Sequence, residues 1–272
     1  MNADIQQFSM GTWVAILAAA TSFVGVFVAI ASTRTAGAAR GDRARTGWVG
    51  WAAFAFAVLG AWVPQLLVAA GLGLSSGDVD VSTRIRFDLT WLVISLVVVF
   101  VLSAAAFFVL ASPRRSWQAT GALAAALLWV GLVGGNLAFV RSLVLQGTHS
   151  LDPLYVGVSA AVALVVAVGV VATVLRLGTR TLRLVASLPI AALVVVIYWA
   201  GFEGVSVSPD PQFAPPSGVE IFSALLPAFL LGMLVVTIPI AALLMAPDRV
   251  SAALEREADL LAEESNEAFT LN

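Results

Sequence analysis

The sequence predicts an all-α, polytopic membrane protein of seven transmembrane helices. Three observations predict it. First, 60% of its 272 residues are hydrophobic and 11% are charged, against roughly 45–50% apolar and about 25% charged in a soluble domain. Second, the apolar residues are gathered into long, nearly charge-free runs. Third, all basic side chains are arginines, and most of them fall in alternate loops.

A hydrocarbon core about 30 Å thick takes roughly 20 apolar residues per helix. Seven segments meet that need in order: Thr12–Ser32, Trp48–Gly71, Leu89–Ala111, Trp117–Val140, Leu154–Leu175, Leu182–Phe202 and Ile221–Ala246. None alternates polar with apolar residues as a barrel strand would. Only Asp4, and no basic stretch, precedes the first segment, so it reads as a span and not as a cleavable leader. Pro64 lies deep in the second segment, where it frees a carbonyl and bends the helix. Pro189, Pro227 and Pro239 can do the same in the sixth and seventh. Gly131 and Gly135 form a Gly-x-x-x-Gly spacing that favours close helix contact.

Orientation follows from the arginines, which cytoplasmic loops retain. Arg34, Arg40, Arg43, Arg45, Arg114, Arg115, Arg176, Arg180, Arg183, Arg249 and Arg256 fall on one side. Arg84, Arg86 and Arg141 fall on the other. The N-terminus is therefore expected outside and the C-terminus in the cytoplasm. Trp13 and Trp91 sit near the outer interface and Trp48 and Trp117 near the inner one. The chain divides into residues 1–205 with six helices, residues 206–246 with a Pro-rich outer loop and the seventh helix, and an acidic tail at 247–272. The tail holds seven acidic residues against two arginines. It reads as a solvated helix or as a docking surface for a membrane or cytoplasmic protein.

Absences exclude chemistry. Without cysteine there is no disulfide or thiolate metal site. Without lysine there is no retinal Schiff base. The single histidine, His149, lies in an outer loop near Asp152, where it is an exposed inert side chain, a weak ligand or a pH sensor. No basic patch supports nucleic-acid binding, and no nucleophile–base set or carboxylate pair lies within a span, so no enzyme is expected.

A repeat runs through the helices. Phe87-Asp88-Leu89-Thr90-Trp91 aligns with Leu151-Asp152-Pro153-Leu154-Tyr155, and Ser95 with Ser159, at an offset of 64. Each stretch opens a helix, a basic loop follows, and a second helix returns outward. The first two helices fit more loosely, which makes three helix pairs plus a seventh helix. Polar residues collect in the outer halves of the even helices. Gln65, Asn136, Arg141, Tyr198, Trp199 and Glu203 are the ligand-binding candidates, because polar groups in lipid are costly unless they face the bundle interior. Arg141 and Glu203 occupy equivalent positions, which suggests an ion pair. The alternatives are snorkelling to water at the interface, amides that bridge helices and aromatic anchors.

The stretch Ile197-Tyr198-Trp199-Ala200-Gly201-Phe202, with its weaker copies at 63–68 and 135–140, resembles the repeated motif of the bacterial MHYT domain. That domain is a membrane sensor module of paired helices. Asp88 and Leu151-Asp152-Pro153 are similar to the aspartate-containing stretch that follows the motif in the family. The resemblance extends over residues 10–205. It implies a membrane-embedded sensor that binds copper through motif His and Met residues and responds to oxygen, carbon monoxide or nitric oxide. Here, however, the histidine positions carry Pro64, Asn136 and Tyr198. The methionine positions carry Val63, Gly135, Ile197, Val68, Val140 and Phe202. Soft copper sites need thioether or imidazole donors, so no metal and no cofactor are expected at the motif. The reading is a sensor-like or ligand-binding module with a polar pocket at the outer ends of the even helices. The alternatives are a structural or accessory subunit of a larger membrane complex and a small-solute transporter.

Overall fold

A computed structural model describes residues 4–6, 11–75, 85–112, 117–210 and 212–245. The acidic tail, Arg84, Arg114, Arg115, Arg249, Arg256, Pro211 and the side chains of Trp117 and Pro209 lie outside that description. Residues 1–236 form one compact unit, and 237–272 form a second, of which the last residues of the final helix are described.

Seven helices are long and apolar enough to cross a membrane: α1 (Trp13–Ala38), α2 (Asp42–Ala70), α3 (Leu89–Ala111), α4 (Trp117–Arg141), α5 (Pro153–Arg176), α6 (Arg180–Glu203) and α7 (Ile221–Met245). They coincide with the seven expected segments. Two extend past the apolar run by more than a turn, α1 at its C-terminal end and α2 at its N-terminal end, because helix propensity continues where hydropathy stops; the other five agree within two residues. The helix starts are chemically marked. The Asp88 carboxylate accepts the Thr90 N–H at 2.7 Å, and Asp152 accepts that of Leu154 at 2.8 Å. Thr179 Oγ1 accepts the Leu182 N–H. Each is an N-cap that satisfies a donor the helix cannot.

Among the described residues six short strands, which no periodicity in the sequence announces, close the helix pairs. β1 (Asp4–Gln6) pairs antiparallel with β2 (Gly73–Ser75), β3 (Arg86–Phe87) with β4 (Leu143–Val144), and β5 (Gly147–Leu151) with β6 (Val205–Pro209). In every case the strand before an odd-numbered helix pairs with the strand after the next even-numbered helix. These pairs mark the stranded end of the bundle. The Pro-rich outer loop thus begins as strand β6, and His149 of β5 lies opposite its Val207. The loop before α7 is held at the same end by the Phe87–Val219 bridge and an Arg86–Glu220 ion pair at 3.0 Å.

α2 is the most enclosed span, with 89% of its apolar window buried, whereas α7 has 22%. Its middle, Ala55–Trp62, is a π-helix, and Pro64 follows two residues later. An α-helical N–H at position 64 would bond the Gly60 carbonyl. Proline has none, and Ser22 Oγ of α1 donates to that carbonyl at 2.8 Å. The hydroxyl reaches it because α1 and α2 touch backbone to backbone: a Cβ at Gly25 would come within 2.1 Å of the Gly60 nitrogen. Gly131 and Gly135 pack α4 onto α3, where a Cβ at Gly135 would meet Val99 at 2.3 Å. This is the close contact their spacing predicted. α6 continues through Pro189. At the stranded end, Phe87, Phe139 and Phe202 form an edge-to-face ladder with centroids 5.8 and 5.9 Å apart. The ladder locks β3, α4 and α6 together.

Candidate functional site

Two of the six candidate residues meet in the core, and a third is buried on α6. Gln65 of α2 and Asn136 of α4 are buried, and Gln65 Nε2 donates to Asn136 Oδ1 at 2.9 Å. Asn136 Nδ2 donates in turn to Ser159 Oγ of α5 at 3.0 Å. Ser159 Oγ donates to the Ile197 carbonyl of α6 at 3.1 Å. The result is one hydrogen-bonded chain crossing four helices. Each member is a neutral group that lipid or apolar packing would otherwise leave unpaired, at a cost of about 1–3 kcal/mol. Gly201 makes room for it: a Cβ there would lie 2.7 Å from Asn136 Nδ2.

Ser159, the Ile197 carbonyl and the role of Gly201 were not among the candidates. The serine was visible in the sequence as the partner of Ser95 in the repeat, but its function depends on a neighbour that only packing supplies. Ser95 has its own contact, accepting the Trp62 Nε1–H at 3.0 Å while donating to the Leu92 carbonyl at 2.8 Å.

The other candidates separate from this chain. Tyr198 is fully buried on α6, next to the carbonyl where the chain ends, whereas Trp199 is 38% exposed. Arg141 and Glu203 are exposed at the ends of α4 and α6. Their suggested ion pair is not formed. The Arg141 guanidinium lies over the Trp91 ring instead, 5.5 Å from its centroid. At a helix end the cation reaches the interface without desolvation, so an aromatic face is a sufficient partner. Pro64 is buried, and its effect is the Gly60–Ser22 bond described above.

The expected polar pocket is small. The cavity beside Asn136, Ser159 and Gly201 is about 10 Å3, room for roughly one water. At the three motif positions stand a proline ring, an amide already engaged on both sides and a phenol. No group of three or more His, Cys, Asp or Glu able to hold a metal occurs among the described residues. Outside the spans, partial burial of the His149 ring on β5 lowers its pKa below the usual 6.5.

Residues 72–123 match the MHYT family, described as a bacterial signalling protein N terminal repeat. The match covers about a fifth of the chain, from the segment after α2 through α3 to the first turns of α4. It contains Asp88, Trp91 and Ser95 but none of Pro64, Asn136 and Tyr198, so it rests on a different stretch from the motif copies. Over that stretch the chain is similar to a family of bacterial signalling proteins. No curated protein and no solved structure matches the chain.

Proposed function

We propose that this multi-pass membrane protein is a sensor-like module of the MHYT type that works without the family's copper site. In place of a metal it uses the hydrogen-bonded chain Gln65–Asn136–Ser159–Ile197. That chain is the observation that carries the reading. Three of its members lie in the even helices, where the family motif would sit, and Ser159 of α5 links two of them, so that four helices are joined through groups that can exchange partners. An amide can accept and donate at once, so a shift of any one helix is felt by the others.

Three helix pairs form the repeated unit of this reading, each closed by one strand pair, with α7 added. The matched N-caps support the repeat: Asp88 and Asp152 have nearly the same backbone angles, φ −73° with ψ 117° and 120°. Their N–H groups donate to the carbonyls that follow the returning helices, Ser142 at 2.7 Å and Gly204 at 2.8 Å. The stranded end faces outward in a bacterial plasma membrane, and the C-terminal tail is cytoplasmic. Among the described residues, Arg34, Arg40, Arg43, Arg45, Arg176, Arg180 and Arg183 lie toward the other end, which supports this orientation. The acidic tail is the proposed contact for a protein partner.

The test has two arms. Purified protein equilibrated with Cu(I) is expected to hold no stoichiometric metal, and one copper per chain overturns the metal-free reading. The chain has no native cysteine, so a Gly37→Cys variant takes one fluorescent label at the far end of α1. Adding Asn136→Ala is expected to change that label's emission. An unchanged spectrum overturns transmission through the bundle. The small size of the cavity beside the polar chain favours a second reading, an accessory subunit of a larger complex. Stoichiometric co-purification with other membrane proteins from native membrane would establish it.

A further inference from the structure

We propose that the protein has a built site for one acyl chain of a membrane phospholipid, separate from the polar chain and independent of the sensor reading. The site is a cavity of about 210 Å3 at the stranded end, where α1, α2 and α7 converge. Trp13 and Leu17 of α1, Leu67 and Ala70 of α2, and Leu225 and Leu226 of α7 form most of its wall. Apart from the indole N–H of Trp13 at its rim, its lining side chains carry no hydrogen-bonding group, so a hydrated ion has nothing to bond inside it. An apolar cavity of about 150 Å3 already takes up benzene-sized molecules in place of water, and this one is larger.

The bilayer supplies the occupant. Leu226 is 57% exposed; Leu230, one turn further along α7, is 63% exposed, and Ile16, one turn from Trp13 on α1, is 71% exposed. These side chains lie on membrane spans and face hydrocarbon. The groove is therefore continuous with the lipid-facing surface of α1 and α7, and an acyl chain enters it without crossing water. Trp13, at the first position of α1 and 53% exposed, stands where an indole settles at the head-group level. The head group then stays at the interface while one chain fills the groove. The inner wall is Ala70, 9% exposed, and Leu67, 5% exposed. Both lie in the turns of α2 that follow Pro64 and Gln65. A chain seated there bears on the same half-helix that carries the first amide of the polar chain.

The experiment uses the full chain in detergent with palmitoyl-oleoyl phosphatidylglycerol as the probe. Native mass spectrometry is expected to find one phospholipid retained per wild-type chain, with Tm rising saturably as lipid is added. Ala70→Phe fills the groove and is expected to lower retention at least several-fold and to abolish the Tm rise. If A70F lacks the wild-type near-ultraviolet circular dichroism, Leu226→Ala, on the exposed wall, decides by the same comparison. Three results overturn the site: no lipid retained by the wild type, equal retention by wild type and variant, or a lipid-free dimer in which a second copy covers the groove.

Discussion

In the α3–α4 hairpin, Ser95 accepts one hydrogen bond from Trp62 of α2 and turns its own proton back onto the Leu92 carbonyl of its own helix. In the α5–α6 hairpin, Ser159 stands at the same distance from its capping aspartate. It accepts from Asn136 and passes its proton across to Ile197 of α6. The caps and the strand closures of the two hairpins are alike, and the polar interiors differ. The difference lies in what the preceding helix offers. An indole N–H donates only, so nothing links back beyond Trp62. A carboxamide donates and accepts, so Asn136 extends the link back to Gln65. The same serine in the same register is a local tie in one hairpin and a relay in the other.

The largest expected effect comes from cutting the relay. Asn136→Leu leaves the Gln65 amide and the Ser159 hydroxyl each short of a partner. It is expected to cost about 1–2 kcal/mol, read as a fall of several degrees in Tm in detergent. Trp62→Phe removes a single bond whose acceptor keeps another partner, and less than half that loss is expected. A larger fall for Trp62→Phe would break the contrast between relay and tie.

Gly201→Ala acts on the relay indirectly, by pushing a methyl group into Asn136. About 1 kcal/mol is expected from overpacking, and it should shrink when Asn136 is already alanine, because the two sites share one contact. Strict additivity of the two Tm changes would show that Gly201 matters for another reason. The caps sharpen the likeness of the hairpins. Asp88→Ala and Asp152→Ala should each cost about 1 kcal/mol. Asp88 costs the more, since it accepts from Thr90 and Trp91 where Asp152 accepts from Leu154 alone among the first-turn donors. Equal Tm losses would place the cap energy elsewhere.

The smallest effect belongs to His149, in the strand pair that closes the second hairpin. Its pKa is lowered by burial in the folded chain. Between that value and the ordinary 6.5 the unfolded chain therefore binds more protons than the folded one. The stability tied to neutral His149 is complete above about pH 6.5 and declines as pH falls through that window. His149→Gln should flatten this part of the Tm–pH curve, and an unchanged slope would assign it to other groups.

The spans were readable along the chain because the solvent imposes them. A helix surrounded by hydrocarbon has to be apolar for about twenty residues, whatever it packs against. Gln65 and Asn136 were readable for the same reason, as polar groups in places where lipid penalises them. Asp88 and Asp152 announced helix starts through local chemistry. Ser159 was visible only as an echo of Ser95, since a hydroxyl in an apolar helix commonly turns back on its own backbone, as Thr21, Thr33 and Thr173 do here. The strand pairs left no mark, because two to five residues are too few for an alternating pattern. Arg141 found Trp91 and not Glu203, although the repeat put the two charges in register. Sequence by itself determined which segments enter the membrane and which polar side chains had to find partners there. Tertiary structure alone decided which partners they found, because the distance between residues far apart in the chain depends on how closely the helices approach, and here glycines such as Gly25, Gly135 and Gly201 set that approach.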